Sequence, residues 1–189
     1  LSCGKMIDER EFWPIFEVAE ELDVPIYLHP ADPDKTVTER YYSPYDKTHP
    51  MVTRAAWGFG IETGTQAVRL ILSGIFDHYP KLKIFLGHFG EAIPFWLPRI
   101  HESFTRPGNE NIDFNRIFKE NFWITTSGFF SDNALELCLK VLNAEKILFA
   151  VDWPYANNKV GVDWLANAPI DKHTKKMIFS ENAQKLFNL

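Results

Sequence analysis

The chain has 189 residues, 46% of them hydrophobic, and a formal net charge of −5; 16 Phe and 6 Trp lift the aromatic share to 15%. That is enough chain for one domain with a substantial core, and lysines and arginines scattered without a basic stripe argue against nucleic acid as a partner. No apolar run approaches the length of a membrane span, so a soluble protein with no membrane partner is expected.

Asp8, followed three residues later by Glu11, reads as a capping box before a helix. Phe12, Phe16 and Ala19, then Ile15, Val18 and Leu22, supply its apolar face at helical spacing. The strand Pro25–His29 follows directly. Pro30 to about Thr53 is polar and rich in Pro, Asp, Thr and Tyr, and is expected to be an active-site loop after a strand end. A second helix is predicted over Gly64–Tyr79, with Val68, Ile71, Leu72 and Ile75 on one face, stopped by Pro80. The strand Lys83–His88 comes next. Pro94 suits the first turn of a third helix, through Trp96 to Phe104, and the run from Arg106 to Asn109 breaks the chain. A short helix over Phe114–Asn121 leads into the strand Phe122–Thr126. Ser131 caps a fourth helix whose Ala134, Leu135, Cys138, Leu139, Val141 and Leu142 face inward. The strand Ile147–Asp152 and a closing helix from about Lys172 to Phe187 complete the chain.

Strands alternate with helices and are almost continuously apolar, the pattern of a parallel α/β protein. The reading gives about four strands, half of what a closed eight-stranded barrel requires. Two architectures remain open, a small open α/β sheet or the C-terminal half of a barrel, and no repeat or linker divides residues 1–189 into separate domains. Cys3 and Cys138 form no CxxC and have no histidine at metal spacing, so they read as free thiols of a reducing compartment. No secretory pattern is visible, which points to the cytoplasm. The first residue is Leu rather than Met, so the natural N-terminus is expected to lie elsewhere.

Three of the predicted strands end on a metal-capable side chain: Pro25-Ile26-Tyr27-Leu28-His29, Lys83-Ile84-Phe85-Leu86-Gly87-His88, and the run from Lys146 to Val151 that ends on Asp152. In parallel α/β folds the C-terminal strand ends share one face, where ligands bind. Two imidazoles and a carboxylate, distant in sequence, are thereby expected to meet at a mononuclear metal site. That repetition favours the half-barrel.

Each position also has a plainer reading. His29, before Pro30, is either a metal ligand or a structural or surface histidine. His88 lies in Gly87-His88-Phe89-Gly90-Glu91, where Glu91 either orients the imidazole or favours a helix N-terminus. Asp152, in Val151-Asp152-Trp153-Pro154-Tyr155, needs a partner at the end of an apolar strand; a metal or a histidine would serve, and the alternative is a cap or a salt bridge. Trp57, Phe59 and Tyr155 either pack in the core or line a slot for a planar ring. Arg99 would hold a substrate carboxylate or form a surface ion pair. A GxSxG elbow, a P-loop and a complete GxGxxG are all missing, which argues against nucleotide chemistry.

Taken together, Trp57-Gly58-Phe59-Gly60-Ile61-Glu62-Thr63-Gly64, Arg69-Leu70-Ile71, Ser73-Gly74-Ile75-Phe76-Asp77, Tyr79-Pro80-Lys81-Leu82, Gly87-His88-Phe89-Gly90-Glu91 with Pro94 and Arg99, Asp152-Trp153-Pro154-Tyr155 and Ser180-Glu181-Asn182-Ala183 form a specific set. The chain resembles the aromatic-acid decarboxylase branch of the amidohydrolase superfamily, which holds 2,3-dihydroxybenzoate, γ-resorcylate, salicylate and 5-carboxyvanillate decarboxylases. The resemblance implies a (β/α)8 TIM barrel of the metal-dependent hydrolase type, of which this chain is the C-terminal half. It implies one divalent metal ion, zinc or manganese with magnesium as a further option, and no organic cofactor. His29 and Asp152 would be metal ligands, and Asp152 also the proton donor. His88, networked with Glu91 and Arg99, would assist the substrate, and Trp57, Phe59 and Tyr155 would line its pocket. A Gly-His-Phe-Gly-Glu turn in place of His-Gly-Gly-Gly favours a phenolic acid over a semialdehyde.

The implied reaction is non-oxidative decarboxylation of an ortho-hydroxybenzoic acid to a phenol and CO2, in a homo-oligomer, dimer or tetramer. Family members open on a strand carrying Glu-x-His or His-x-His, which supplies two further ligands. No such motif occurs here, so either the sequence is a fragment or the remaining ligands come from elsewhere. Two rivals follow: a metal-dependent lactonase or amidase of the same superfamily, and a non-catalytic remnant that acts by binding.

Overall fold

A computed structural model describes residues 4–189, and Cys3 lies outside them. The chain divides into two units, the first ending at Lys83 and the second spanning Ile84–Leu189.

In the first unit the helix Trp13–Glu21 begins with Pro14 in its first turn and buries Trp13, Phe16 and Ala19. These recur every three residues, so they form one stripe. Ile15, Val18 and Leu22 belong to the other predicted set and are exposed. The predicted capping box does not form. Asp8 instead accepts two hydrogen bonds from Arg69, from Nε at 2.8 Å and Nη2 at 3.0 Å, while Glu9 accepts from the Met6 amide at 2.9 Å. The bidentate pair with a guanidinium engages both carboxylate oxygens with an opposite charge, where a cap contact would engage one with a neutral amide.

Strand β1 covers Ile26–Leu28, and the Ile26 amide donates to the Lys83 carbonyl at 2.9 Å. The long loop after it is more ordered than expected. It holds short helical turns at Lys35–Val37, Thr38–Tyr42, Ser43–Tyr45 and Pro50–Val52, the first capped by Asp34, which accepts from the Thr36 amide at 2.8 Å. The next helix starts earlier than predicted, at Gly58, and ends at Leu72. Gly74, at φ 76°, turns the chain into a separate helix, Ile75–His78, so the single predicted helix is two.

The second unit contains a three-stranded parallel sheet. β2 (Ile84–Leu86) pairs with β3 (Phe122–Thr125) in the register Ile84–Phe122, Phe85–Trp123 and Leu86–Ile124; β3 pairs with β4 (Ile147–Leu148) through Ile124–Ile147 and Thr125–Leu148. Alternate residues face opposite sides. Phe85 and Leu148 join Leu186 of the C-terminal helix, with Trp123 against them, and Ile84, Leu86, Ile124 and Ile147 are buried. The helices Ile93–Phe104, Phe114–Asn121 and Asp132–Val141 lie close to prediction, the last capped by Ser131, whose Oγ accepts from the Ala134 amide at 3.3 Å. Leu135 and Cys138 are its buried face, and burial pushes the Cys138 thiol up to about 12, which makes it unreactive near neutral pH.

Two predicted elements differ at the C-terminal end. The last strand stops at Leu148 because the next donor, the Phe149 amide, turns away to the Ile178 carbonyl at 2.9 Å. A helix at Asn158–Asn167, absent from the prediction, starts where Asn157 Oδ1 accepts from the amides of Lys159 and Val160. The closing helix runs in three segments, Lys172–Lys176, Met177–Glu181 and Asn182–Phe187. Buried Asn182 donates from Nδ2 to the carbonyls of Ala144 at 2.8 Å and Ile147 at 2.7 Å, and so ties that helix to β4. Among the described residues, no helix is long and apolar enough to cross a membrane.

Candidate active site

His88 lies two residues beyond β2 and Asp152 four residues beyond β4, and both strands belong to the same parallel sheet. The turn that carries His88 is unusual. His88, Phe89, Gly90, Glu91 and Ala92 all take positive φ, at 47°, 55°, 80°, 51° and 64°. Left-handed runs are costly for residues with a Cβ, and such strain persists only where the surroundings hold it. Here Phe89 and Gly90 are buried, Pro94 starts the next helix, and the buried Cys138 Sγ donates a long contact of 3.8 Å to the Phe89 carbonyl. The result places Glu91 back under the imidazole of His88.

Glu91 is buried, and its Oε1 accepts from His88 Nδ1 at 2.7 Å. A carboxylate on Nδ1 assigns that nitrogen the proton and leaves Nε2 as the working atom. Nε2 faces Asp152, with Oδ2 at 3.9 Å. That is beyond a direct hydrogen bond, though close enough for the charges to interact. The hydrogen bond to Glu91 is the largest influence holding the His88 pKa above its ordinary value; burial opposes it, and the charges of Glu91 and Asp152 add to it.

A raised folded-state pKa stabilises the protein below the ordinary value of 6.5, and that contribution is lost as pH rises through the folded value. Glu91→Gln is therefore expected to move the His88 titration, followed by NMR at its ring protons, downward. The difference in unfolding free energy between wild type and variant should be largest below pH 6.5 and shrink above it. An unmoved His88 midpoint would mean that the 2.7 Å contact does not govern the imidazole.

Asp152 also has positive φ, at 70°, and its carbonyl accepts from the amides of Tyr155 at 2.8 Å and Ala156 at 3.1 Å. Its side chain is 28% exposed and that of His88 32%, so both remain open to solvent or a ligand. Of the predicted pocket aromatics in this unit, Tyr155 is 87% exposed. Arg99 is exposed on the helix Ile93–Phe104, and among the described residues no hydrogen bond or ion pair joins it to His88 or Glu91; its charge helps hold the Glu102 carboxyl below the usual range, after the larger effect of Arg106.

The remaining predicted residues belong to the first unit. His29 follows β1 and is exposed; its Nδ1 donates to the Pro30 carbonyl at 2.8 Å, which leaves Nε2 free to act as a donor to a metal. Trp57 is exposed and Phe59 partly buried, at the start of the helix that opens on Gly58. Among the described residues, no group of three or more His, Cys, Asp or Glu side chains is placed to hold a metal ion. Catalytic metal sites usually have three or four protein ligands, so these residues do not by themselves make one.

Sequence reasoning passed over Gly128. A Cβ built on it would meet the Asp152 carboxylate at 3.0 Å, and its φ is 62°. The available signal was a Thr-Thr-Ser-Gly run at the end of an apolar strand, at the same station as His88 and Asp152.

The amidohydrolase family pattern matches residues 4–189. The chain is 39% identical to γ-resorcylate decarboxylase of Polaromonas sp. strain JS666, over 96% of this chain and 56% of that protein. It superimposes with a TM-score of 0.87 and 37% identity on the crystal structure of a dihydroxybenzoic acid decarboxylase from Polaromonas sp. JS666 with bound manganese and the inhibitor 2-nitroresorcinol, covering 97% of this chain and 55% of that one. With 5-carboxyvanillate decarboxylase from Novosphingobium aromaticivorans, complexed with manganese and 4-hydroxy-3-methoxy-5-nitrobenzoic acid, the TM-score is 0.90 at 32% identity, over all of this chain and 55% of that one. The chain thus spans just over half the length of these proteins, and its parallel α/β architecture is that of part of a (β/α)8 barrel. On the match across residues 4–189, the chain belongs to the amidohydrolase family.

Proposed function

We propose that the protein of which this chain forms part is a metal-dependent decarboxylase, which converts an ortho-hydroxybenzoic acid to a phenol and CO2. The observation that carries this reading is the Asp152 carboxylate 3.9 Å from Nε2 of a histidine whose other nitrogen is held by buried Glu91. It is an acid–base pair at the C-terminal end of a parallel sheet, where such folds work. The names of the relatives supply the substrate class.

Asp152 is the proton donor to the ring carbon that bears the carboxylate. Protonation there breaks aromaticity. The bond to the carboxylate then cleaves, its electron pair returns to the ring, and CO2 leaves. His88, charged more readily because of Glu91, binds the phenolic oxygen or returns a proton to Asp152. Arg99 is assigned to the substrate carboxylate or to buttressing the site, and Trp57, Phe59 and Tyr155 to the ring. No organic cofactor is required, since the protonated ring accepts the electrons.

A divalent ion, manganese as in the relatives' crystals or zinc, would take His29 and Asp152 from this chain and needs further donors. The two units are read as parts of one amidohydrolase domain, in a cytoplasmic homo-oligomer.

The test is CO2 release from 2,6-dihydroxybenzoate, 2,3-dihydroxybenzoate and salicylate, with metal analysis, on this chain and on the longest natural chain containing it. The longer chain is expected to hold about one divalent ion and to release CO2. A metal-loaded preparation that yields a ring-opened or hydrolysed acid, or no CO2 from any of these acids, would overturn the reading.

A further inference from the structure

We infer that Thr126 and Gly128 are positioning residues, a strap from the end of β3 that sets the Asp152 carboxylate opposite His88; their catalytic consequence rests on the role proposed above for Asp152.

The regular ladder between β3 and β4 ends at the pair Thr125–Leu148. Past that pair the Phe149 amide bonds to the Ile178 carbonyl instead of to β3, so residues 150 and 151 reach Asp152 without the ladder. Thr126 and Gly128 replace the ladder with bonds of another kind. The Thr126 amide donates to the Leu148 carbonyl at 3.1 Å. Its hydroxyl donates to the Ala150 carbonyl at 2.8 Å and accepts from the Ala150 amide at 3.1 Å. The Gly128 amide donates to the Val151 carbonyl at 3.1 Å. The chain is therefore held up to the residue before Asp152. Thr126 is fully buried, so no water can replace its hydroxyl, which supplies both a donor and an acceptor to one residue.

Gly128 acts on the carboxylate itself. A Cβ built on it would lie 3.0 Å from Asp152 Oδ2 and 3.3 Å from Asp152 Cβ, and its φ of 62° disfavours a side chain in any case. The carboxylate thus lies beside bare backbone, where a side chain would crowd it. Asp152, at φ 70°, is held in a conformation a free loop would not keep. Displacement of a reacting group by about 1 Å can lower a rate about 10²-fold, and the strap fixes this one from two directions.

The test compares Thr126→Val, nearly isosteric without the hydroxyl, with Thr126→Ser, which retains it, in the active preparation. Valine is expected to lower kcat about 10²-fold and leave KM within about threefold, while serine stays within about threefold of wild type in both. Amide hydrogen exchange at Ala150 should quicken in the valine variant alone, with amides of the helix Asp132–Val141 unchanged. A wild-type kcat in Thr126→Val, or an equal loss in Thr126→Ser, overturns the inference. If Thr126→Val does not fold, Gly128→Ala presses on the same carboxylate; a drop in kcat of about tenfold or more supports the strap, and an unchanged kcat overturns it. Should wild type release no CO2, the proposed function fails on its own. The exchange rates then still decide whether the strap exists: unaltered Ala150 exchange in Thr126→Val removes it.

Discussion

Asp152→Asn is expected to lower the rate of CO2 release about 10²- to 10⁴-fold, the range carried by a general acid in the transition state. The amide has nearly the shape of the carboxylate but cannot deliver its proton. The fold should survive, because the bonds that hold this corner are made by backbone atoms: the Asp152 carbonyl with Tyr155 and Ala156, and the Val151 carbonyl with Gly128. Asparagine also tolerates the left-handed backbone that residue 152 adopts. Steady-state rates with a hydroxybenzoate, alongside thermal melts of both proteins, make the comparison. A variant that turns over like wild type with an unchanged melt would remove Asp152 from the chemistry and leave His88 as the acid.

The second large effect is on stability. Gly90→Ala is expected to destabilise by about 2–4 kcal/mol, from a left-handed backbone cost of roughly 1–2 kcal/mol and an overpacking cost of similar size. At φ 80° the new Cβ would meet Ile124 Cγ2 at 2.9 Å and the Pro94 ring at 3.0 and 3.1 Å. Ile124 is fully buried in β3, and Pro94 is buried at the start of its helix, so neither can retreat cheaply. For a chain of this size the melting temperature should fall by about 5–15 °C. Activity should fall further than stability alone accounts for, because Glu91 is the next residue and its grip on His88 depends on the same turn. A melt within about 2 °C of wild type would show that the turn relaxes around the extra methyl.

The sequence by itself determined much of this protein. Apolar runs ending on His88 and Asp152 located the strands and their chemical ends, since hydrophobic continuity and a polar residue that closes it are both local signals. The helix Phe114–Asn121 and the Ser131 cap were legible for the same reason. The three-residue spacing from His88 to Glu91 made their pairing readable, and the structure realises it at 2.7 Å. The family was legible from motifs spread along the chain.

What the tertiary structure decided lies where distant segments compete for the same group. Asp8 was drawn from a helix cap by Arg69, 61 residues away. β4 lost its last residues when Phe149 found the Ile178 carbonyl. Of the residues predicted to form the apolar face of the first helix, only neighbouring elements could choose that Phe16 and Ala19 are buried and Ile15, Val18 and Leu22 exposed. The strap from Thr126 and Gly128 to Asp152 belongs with these. It depends on two parallel strands whose residues are 24 apart in sequence meeting side by side, and a local pattern of residues carries no record of which strand its neighbour will be.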